Sequence, residues 1–128
     1  MPHVIAEYSA NLEPALDPQA LIDDLHAAVI ATGIAEAAAV RSRGERRDVF
    51  RVADGKPENG FVHVVARLRV GRPEEHLKAL AQALLAATER RLEAAYKCHA
   101  IAVTVEIHEI DHLTLRRNTI RERTESAA

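Results

Sequence analysis

The sequence predicts an α+β fold in which a duplicated β-α-β unit forms a four-stranded mixed sheet with two helices packed on one face. Strand and helix patterns follow each other in the order β-α-β, β-α-β. The halves also resemble each other, because PHVIAEYS (2–9) lies over VHVVARLR (62–69) and LIDDLHAAVIAT over LKALAQALLAAT. The 128 residues therefore form a single predicted domain, with halves at about 2–58 and 59–115 and a polar C-terminal tail at 116–128.

The first half begins with a strand predicted over residues 4–8. Asp17 and the proline after it are typical of a helix start, apolar residues follow at helical spacing, and Gly33 ends this helix. Residues 37–43 are predicted as a second strand. The segment DVFRVADGKPENG (48–60) is predicted as a short strand running into a turn region.

The second half repeats this order. A valine-rich strand is predicted over 61–70, Pro73 with two glutamates opens a second helix, and a fourth strand over 101–107 alternates apolar and polar residues. The tail RRNTIRERTESAA follows it, and we expect it to fray or to pack on a neighbour. Right-handed βαβ crossovers leave the strands of each half parallel and one face of the sheet open, so that packing into a trimer or hexamer would cover it.

Composition excludes several classes of function. Seventeen Lys and Arg nearly balance nineteen Asp and Glu, so no long-range field favours nucleic acid or a membrane surface. No apolar run approaches the roughly 20 residues of a membrane span, and the N-terminus does not have a secretory signal pattern. We expect a cytoplasmic protein. Cys98 is the only cysteine, which excludes an internal disulfide.

Pro2 is the first candidate functional residue. It aligns with Val62, an interior residue of the third strand, so the N-terminus is expected to lie inside the fold. If Met1 is removed, Pro2 has a secondary amine, and burial beside guanidinium groups lowers the pKa of such an amine from about 8 towards neutrality, the range of a general base. The alternative is a proline that only starts an edge strand.

Arginines near the predicted strand ends suggest an anionic substrate. Arg41 and Arg43 share one strand face, and Arg72 occupies the turn before the second helix. Because guanidinium binds carboxylate through two hydrogen bonds, several arginines indicate a small di- or tricarboxylate. Four others are interpreted as solvated surface residues: Arg46, Arg47, Arg67 and Arg69.

Six short segments resemble the 5-carboxymethyl-2-hydroxymuconate delta-isomerase family of the tautomerase superfamily. They are MPHVIAEYS, TGI (32–34), VRSR (40–43), ADG (53–55), FVH (61–63) and GR (71–72). The resemblance implies a duplicated β-α-β fold, a homotrimer, and an isomerase of homoprotocatechuate breakdown that uses no cofactor or metal.

The same resemblance implies roles for individual residues. Pro2, after loss of Met1, matches the base that carries a proton from the 2-hydroxyl of a dienol to a distant carbon. Arg41 and Arg72 match the arginines that hold substrate carboxylates and stabilise charge on the 2-oxo group. Arg43 is expected to contact substrate, and Phe50 to form part of an apolar wall.

Other interpretations stay open from the sequence. The segment GERRDVF departs from the family pattern, and Arg46 and Arg47 bear on substrate fit. A sibling activity, such as a phenylpyruvate-type tautomerase or a decarboxylase, and a non-catalytic trimeric module that binds carboxylates are the alternatives. HEIDH (108–112) matches a zinc-protease motif, but it follows a strand pattern, on which His108 and His112 lie roughly 13 Å apart, too far to share a metal.

Overall fold

The chain forms one four-stranded mixed sheet with two long helices on one face, as the sequence predicts. A computed structural model describes residues 1–127. The strands are β1 (His3–Ser9), β2 (Arg41–Arg47), β3 (Asn59–Arg69) and β4 (Ala100–Ile110), and the helices are α1 (Pro18–Ala31), α2 (Glu74–Arg91) and α3 (Thr119–Ala127). The order across the sheet is β2-β1-β3-β4. β1 and β2 are parallel, β3 and β4 are parallel, and β1 and β3 pair antiparallel at the centre.

The central pairing of β1 with β3 makes the duplication visible as symmetry. The pairs along β1 are His3–Arg67, Ile5–Val65 and Glu7–His63. The middle pair joins residues that occupy the same position in the two repeats. An approximate two-fold axis therefore passes between Ile5 and Val65, and the start of β1 lies beside the end of β3.

The core lies between the sheet and the two long helices. Alternate residues of the central strands are buried and apolar, as period-two strands with one covered face require. They are Val4, Ala6 and Tyr8 in β1, and Val62, Val64, Ala66 and Leu68 in β3. The helices bury Leu21, Leu25, Val29, Leu80 and Leu84 against them.

The predicted helix signals are confirmed. The Asp17 carboxylate accepts a hydrogen bond from the amide of Ala20 at 3.2 Å, which caps α1. After α1 the chain turns through Gly33, whose φ of 75° favours glycine. An ion pair of 2.7 Å between Arg91 and Asp24 joins α2 to α1. Among residues 1–127 no helix combines the length and apolar character needed to cross a membrane.

Three sequence predictions differ from the structure. The second strand was predicted from residue 37, but Ala37–Ala39 form a 3-10 turn and β2 begins at Arg41. The short strand predicted near residues 48–52 is absent among the described residues, which form a loop there. The polar tail contains a helix, α3, and it is held to the 3-10 turn by a hydrogen bond of 2.8 Å from Asn118 Nδ2 to the Ala38 carbonyl.

The face of the sheet opposite the helices carries a network of charged side chains. Arg47 donates to Glu7 at 2.6 Å. His63 lies between Glu7 at 3.5 Å and Glu106 at 2.5 Å, and His108 is 2.9 Å from Glu106. The chain therefore has one apolar face filled by helices and one polar face that mixes these groups with half-buried apolar residues.

Candidate active site

The N-terminus lies at the start of β1, a central strand of the sheet. Pro2 is buried, and its carbonyl accepts a hydrogen bond of 3.1 Å from the amide of Arg41. The next residue, His3, pairs with Arg41 on one side and with Arg67 on the other. Since β1 is a central strand, the chain end is flanked by two neighbouring strands, as the alignment of Pro2 with a strand interior predicts.

Two of the predicted arginines are brought to this chain end. The Arg41 guanidinium donates to the Ala39 carbonyl at 3.2 Å. The Arg72 guanidinium donates to the carbonyls of Arg69 at 3.1 Å and Ile34 at 3.2 Å. These neutral acceptors hold the guanidinium groups in place without cancelling their charge. Among the side chains that the structure describes, no carboxylate forms an ion pair with either arginine, so both are available to an anionic ligand.

The surroundings of the chain end favour a neutral amine. The pKa of the Met1 amine falls from 8.0 to about 6. Burial is the largest cause, followed by the positive charges of Arg41, Arg116, Arg72 and Arg69. An amine at this position is largely unprotonated at pH 7, which is the state a general base needs.

Two cavities meet at Met1. The first, which we term the arginine cavity, has a volume of about 450 Å³, and its charged lining residues are Glu36, Arg69, Arg72, Arg116 and Arg121. The second, the histidine cavity, has a volume of about 480 Å³ and is lined by Met1, His3, Arg43, Arg67, His108 and the end of β4. Both volumes suit a small organic acid. The histidine cavity also includes Glu109 and Asp111, which balance Arg43 and Arg67. The chain end thus stands between two spaces, of which the arginine cavity has the excess of positive charge.

A larger cavity of about 560 Å³ lies between α1 and α2, away from the chain end. Its lining residues include Asp24, Arg90 and Arg91, and the Arg91–Asp24 ion pair satisfies one of its cations. It does not contain the chain end, Arg43 or Arg72, which line the cavities at Met1, and Arg41 lines none of the three cavities. The smaller cavities at Met1 are therefore the better candidates for a catalytic site.

Arg43 reaches the same region, and Phe50 does not. Arg43 Nη1 lies 3.0 Å from His3 Nδ1, and both residues line the histidine cavity. Burial and the charges of Arg43 and Arg41 lower the pKa of His3, which keeps this imidazole neutral. Phe50 is exposed in the loop after β2. Seven residues of β2 span roughly 20 Å, so within one chain Phe50 lies beyond the opposite end of the strand from Pro2.

Arg69 and Arg116 were not expected to be at the site. The sequence interpretation treated Arg69 as a solvated residue and Arg116 as part of the tail. Both are exposed, and both also line the arginine cavity. The strand topology explains why both residues lie there. Because β3 runs antiparallel to β1 and β4 runs parallel to β3, the residues after β3 and after β4 both return to the edge where β1 begins.

The HEIDH segment does not have the geometry of a zinc-protease motif. His108 lies within β4 and His112 in the turn that follows it, rather than on one helix. Among the side chains that the structure describes, no group of three from His, Cys, Asp or Glu has an arrangement suited to a metal ion.

Comparisons with known proteins find relatives over most of the chain. A family model described as 5-carboxymethyl-2-hydroxymuconate isomerase matches residues 2–124. The 5-carboxymethyl-2-hydroxymuconate Delta-isomerase of Escherichia coli is 30% identical over 115 residues, which are 90% of each chain. The crystal structure of a 5-carboxymethyl-2-hydroxymuconate isomerase from Deinococcus radiodurans R1 is 28% identical, with a TM-score of 0.87 over 96% of this chain and 93% of its own. A structure described as a fused 4-OT wild-type symmetric trimer is 22% identical, with a TM-score of 0.63 over 93% of this chain and 98% of its own.

Proposed function

The chain belongs to the 5-carboxymethyl-2-hydroxymuconate isomerase family, and from this premise we propose that it converts 5-carboxymethyl-2-hydroxymuconate into its 2-oxo-3-ene isomer in homoprotocatechuate catabolism. The observation that carries the proposal is the chain end itself. The Met1 amine, attached to the buried Pro2, has a pKa lowered to about 6, and it lies near arginines whose charge no described carboxylate neutralises. This combination suits proton abstraction from an anionic substrate.

The proposed base is Pro2 after removal of Met1. While Met1 is attached, the Pro2 nitrogen is an amide and cannot take a proton. Once Met1 is removed, the nitrogen is a secondary amine whose ring fixes its orientation. It accepts the proton of the 2-hydroxyl and returns a proton to a distant carbon. One O–H bond breaks, one C–H bond forms and the double bonds shift, so the step needs no electron acceptor and no cofactor.

Arg41 and Arg72 are the proposed carboxylate ligands. Their guanidinium groups also stabilise the negative charge that develops on the 2-oxo group as its proton leaves. Arg43 is proposed to contact the substrate from the histidine cavity. Phe50 forms an apolar wall in this scheme only if it comes from a second copy of the chain.

We also propose that the protein is a homotrimer. The polar face of the sheet mixes titratable groups with half-buried apolar residues, and packing between copies would cover it. The similar fused 4-OT structure is itself described as a symmetric trimer.

The test combines processing and chemistry. Mass spectrometry of the intact protein from its native host determines whether Met1 is removed, and ultraviolet absorbance follows isomerisation of 5-carboxymethyl-2-hydroxymuconate. We expect turnover by the processed form and a loss of at least about a hundredfold when a residue is retained before Pro2 or when Pro2→Ala is made. Undiminished turnover by a form that retains Met1 would remove the proposed base. Faster turnover of an aryl enol such as enol-phenylpyruvate would contradict the proposed substrate.

A further inference from the structure

We propose that Arg69 and Arg116 form a separate carboxylate-binding position in the arginine cavity, and that this position selects tricarboxylate over dicarboxylate substrates. The inference rests on the proposed function, because it assigns the part of the substrate that Arg41 and Arg72 do not bind. 5-Carboxymethyl-2-hydroxymuconate has three carboxylates, two at the ends of the muconate chain and one on the carboxymethyl branch. Arg41 and Arg72 account for two of them, and Arg43 lines the histidine cavity, so no carboxylate is yet assigned to Arg69 and Arg116 of the arginine cavity.

The charge balance of the cavity indicates an anionic ligand. Four guanidinium groups and one carboxylate line it. Arg121 pairs with that carboxylate, Glu36, at 2.9 Å, and Arg72 is held by backbone carbonyls. Among the described side chains, Arg69 and Arg116 have no carboxylate partner. Like charges in one cavity repel each other, and a bound carboxylate relieves that repulsion.

The position of Arg116 is fixed by its neighbours in the chain. Asn118 donates from Nδ2 to the Ala38 carbonyl at 2.8 Å, and its Oδ1 accepts from the Arg121 amide at 3.1 Å. These contacts hold the segment after β4 against the 3-10 turn that leads into β2. Arg117, the next residue, instead forms a bidentate pair with Glu122 at 3.1 and 3.2 Å. Both arginines are exposed, but Arg117 is paired with a carboxylate and Arg116 lines the cavity.

Arg69 and Arg116 also lie near the chain end. Met1 lines the same cavity as Arg69 and Arg116, and both arginines contribute to the lowered pKa of the chain-end amine. A carboxylate bound between them therefore lies in the space that Met1 lines, next to Pro2 in the chain. The cavity, about 450 Å³, accommodates a carboxymethyl branch while the muconate chain extends towards Arg41 and Arg72.

The experiment compares two substrates in four forms of the processed full-length protein: wild type, Arg116→Gln, Arg69→Gln and the matched control Arg117→Gln. The substrates are 5-carboxymethyl-2-hydroxymuconate and 2-hydroxymuconate, which has no carboxymethyl group. Assays at pH 8.5 keep the amine neutral in every form, so that a change in its pKa does not contribute. We expect Arg116→Gln and Arg69→Gln to lower kcat/KM for the tricarboxylate about tenfold to hundredfold, as loss of a charged hydrogen bond does, and to leave the dicarboxylate within about twofold.

The control Arg117→Gln should leave both substrates unchanged, and Arg116→Lys should recover part of the tricarboxylate activity. Equal losses on the two substrates, or no loss on the tricarboxylate, would overturn the inference. Circular dichroism and sedimentation confirm that each variant is folded and assembled as the wild type is.

A binding measurement separates this inference from the proposed function. If the wild type turns over neither substrate, calorimetric titration with propane-1,2,3-tricarboxylate and with glutarate tests the position directly. Weaker binding of the tricarboxylate alone in Arg116→Gln supports the inference. Equal binding of both acids by wild type and variant refutes it.

Discussion

Replacing Arg41 by a neutral residue should shift the pH dependence of turnover. The structure sets an upper limit on that shift. The Met1 amine has a pKa of about 6 in these surroundings, and we take this value for the Pro2 amine of the processed protein. Such an amine is about 90% neutral at pH 7, whereas one with the ordinary value of 8.0 is only about 10% neutral. Removing a positive charge raises the pKa of the amine, so the variant Arg41→Gln holds more of it protonated at low pH.

The relative size of the causes that lower the pKa of the amine sets the upper bound on the shift. Burial and several guanidiniums all lower the pKa of the amine, and burial contributes more than Arg41 does. Loss of Arg41 therefore moves the midpoint of the acidic limb upward by at most about one pH unit. At pH 6 the neutral fraction then falls from about 50% to no less than about 10%, a loss of up to roughly fivefold. At pH 8.5 the amine is neutral in both forms.

The assay is kcat/KM from pH 5 to pH 9 for the processed protein, followed by ultraviolet absorbance. Loss at pH 6 in excess of the loss at pH 8.5 measures the effect on the base, and the loss that remains at pH 8.5 measures contact of Arg41 with substrate. Arg51→Gln is the matched control, because Arg51 lies in the loop beyond the far end of β2 and binds the Asp54 carbonyl at 3.2 Å. A wild-type midpoint near 8, or an unchanged midpoint in Arg41→Gln, would refute the reasoning.

Two further predictions concern stability, measured as urea unfolding at a fixed protein concentration. Gly60→Ala should destabilise the protein by about 1–3 kcal/mol, because a Cβ there would lie 2.5 Å from Leu12 Cδ2. Gly44→Ala, whose nearest neighbour is 3.4 Å away, should cost far less, and equal costs would contradict the packing argument. The hydrogen bond from Arg47 lowers the pKa of Glu7 from 4.5, so Glu7 stabilises the fold above that pH and loses this contribution as pH falls through the lowered value. Glu7→Gln should therefore flatten the decline of the urea midpoint below pH 4.5, and a decline as steep as in the wild type would show that Glu7 does not contribute.

Local sequence signals predicted most of the fold. The valine-rich alternation of β3 and the proline-marked helix starts have short-range causes that a sequence displays directly. The predicted start of β2 was wrong because alanines 37–39 have no strong strand preference. The segment that pairs with β1 is instead the charged run that begins at Arg41. The helix α3 was missed because its polar sequence has no core-facing stripe, and a side-chain contact from Asn118 anchors it.

Site residues were predictable where a short segment itself suggests a catalytic or binding role. They were harder to predict where residues distant in sequence come together in the fold. Pro2, Arg41 and Arg72 lie in short segments whose residue types already suggest a base and carboxylate ligands. Arg69 and Arg116 are separated by the whole of α2 and β4, and nothing in their immediate sequence distinguishes them from solvated arginines. They meet only because β3 and β4 are parallel, which is a property of the sheet rather than of either segment.

The approximate two-fold axis gives the sheet two equivalent positions with unequal chemistry, one at the start of β1 and one inside β3. By register, Thr104 occupies in the second half the place that Arg41 has in the first, and Val62 takes that of Pro2, with an amide nitrogen in place of a chain end. A two-chain version of the protein, split before a Val62→Pro substitution, would expose a second secondary amine on the same scaffold without those arginines. The fold therefore contains its own reference position, against which the contribution of the surrounding cations to an amine could be measured within one molecule.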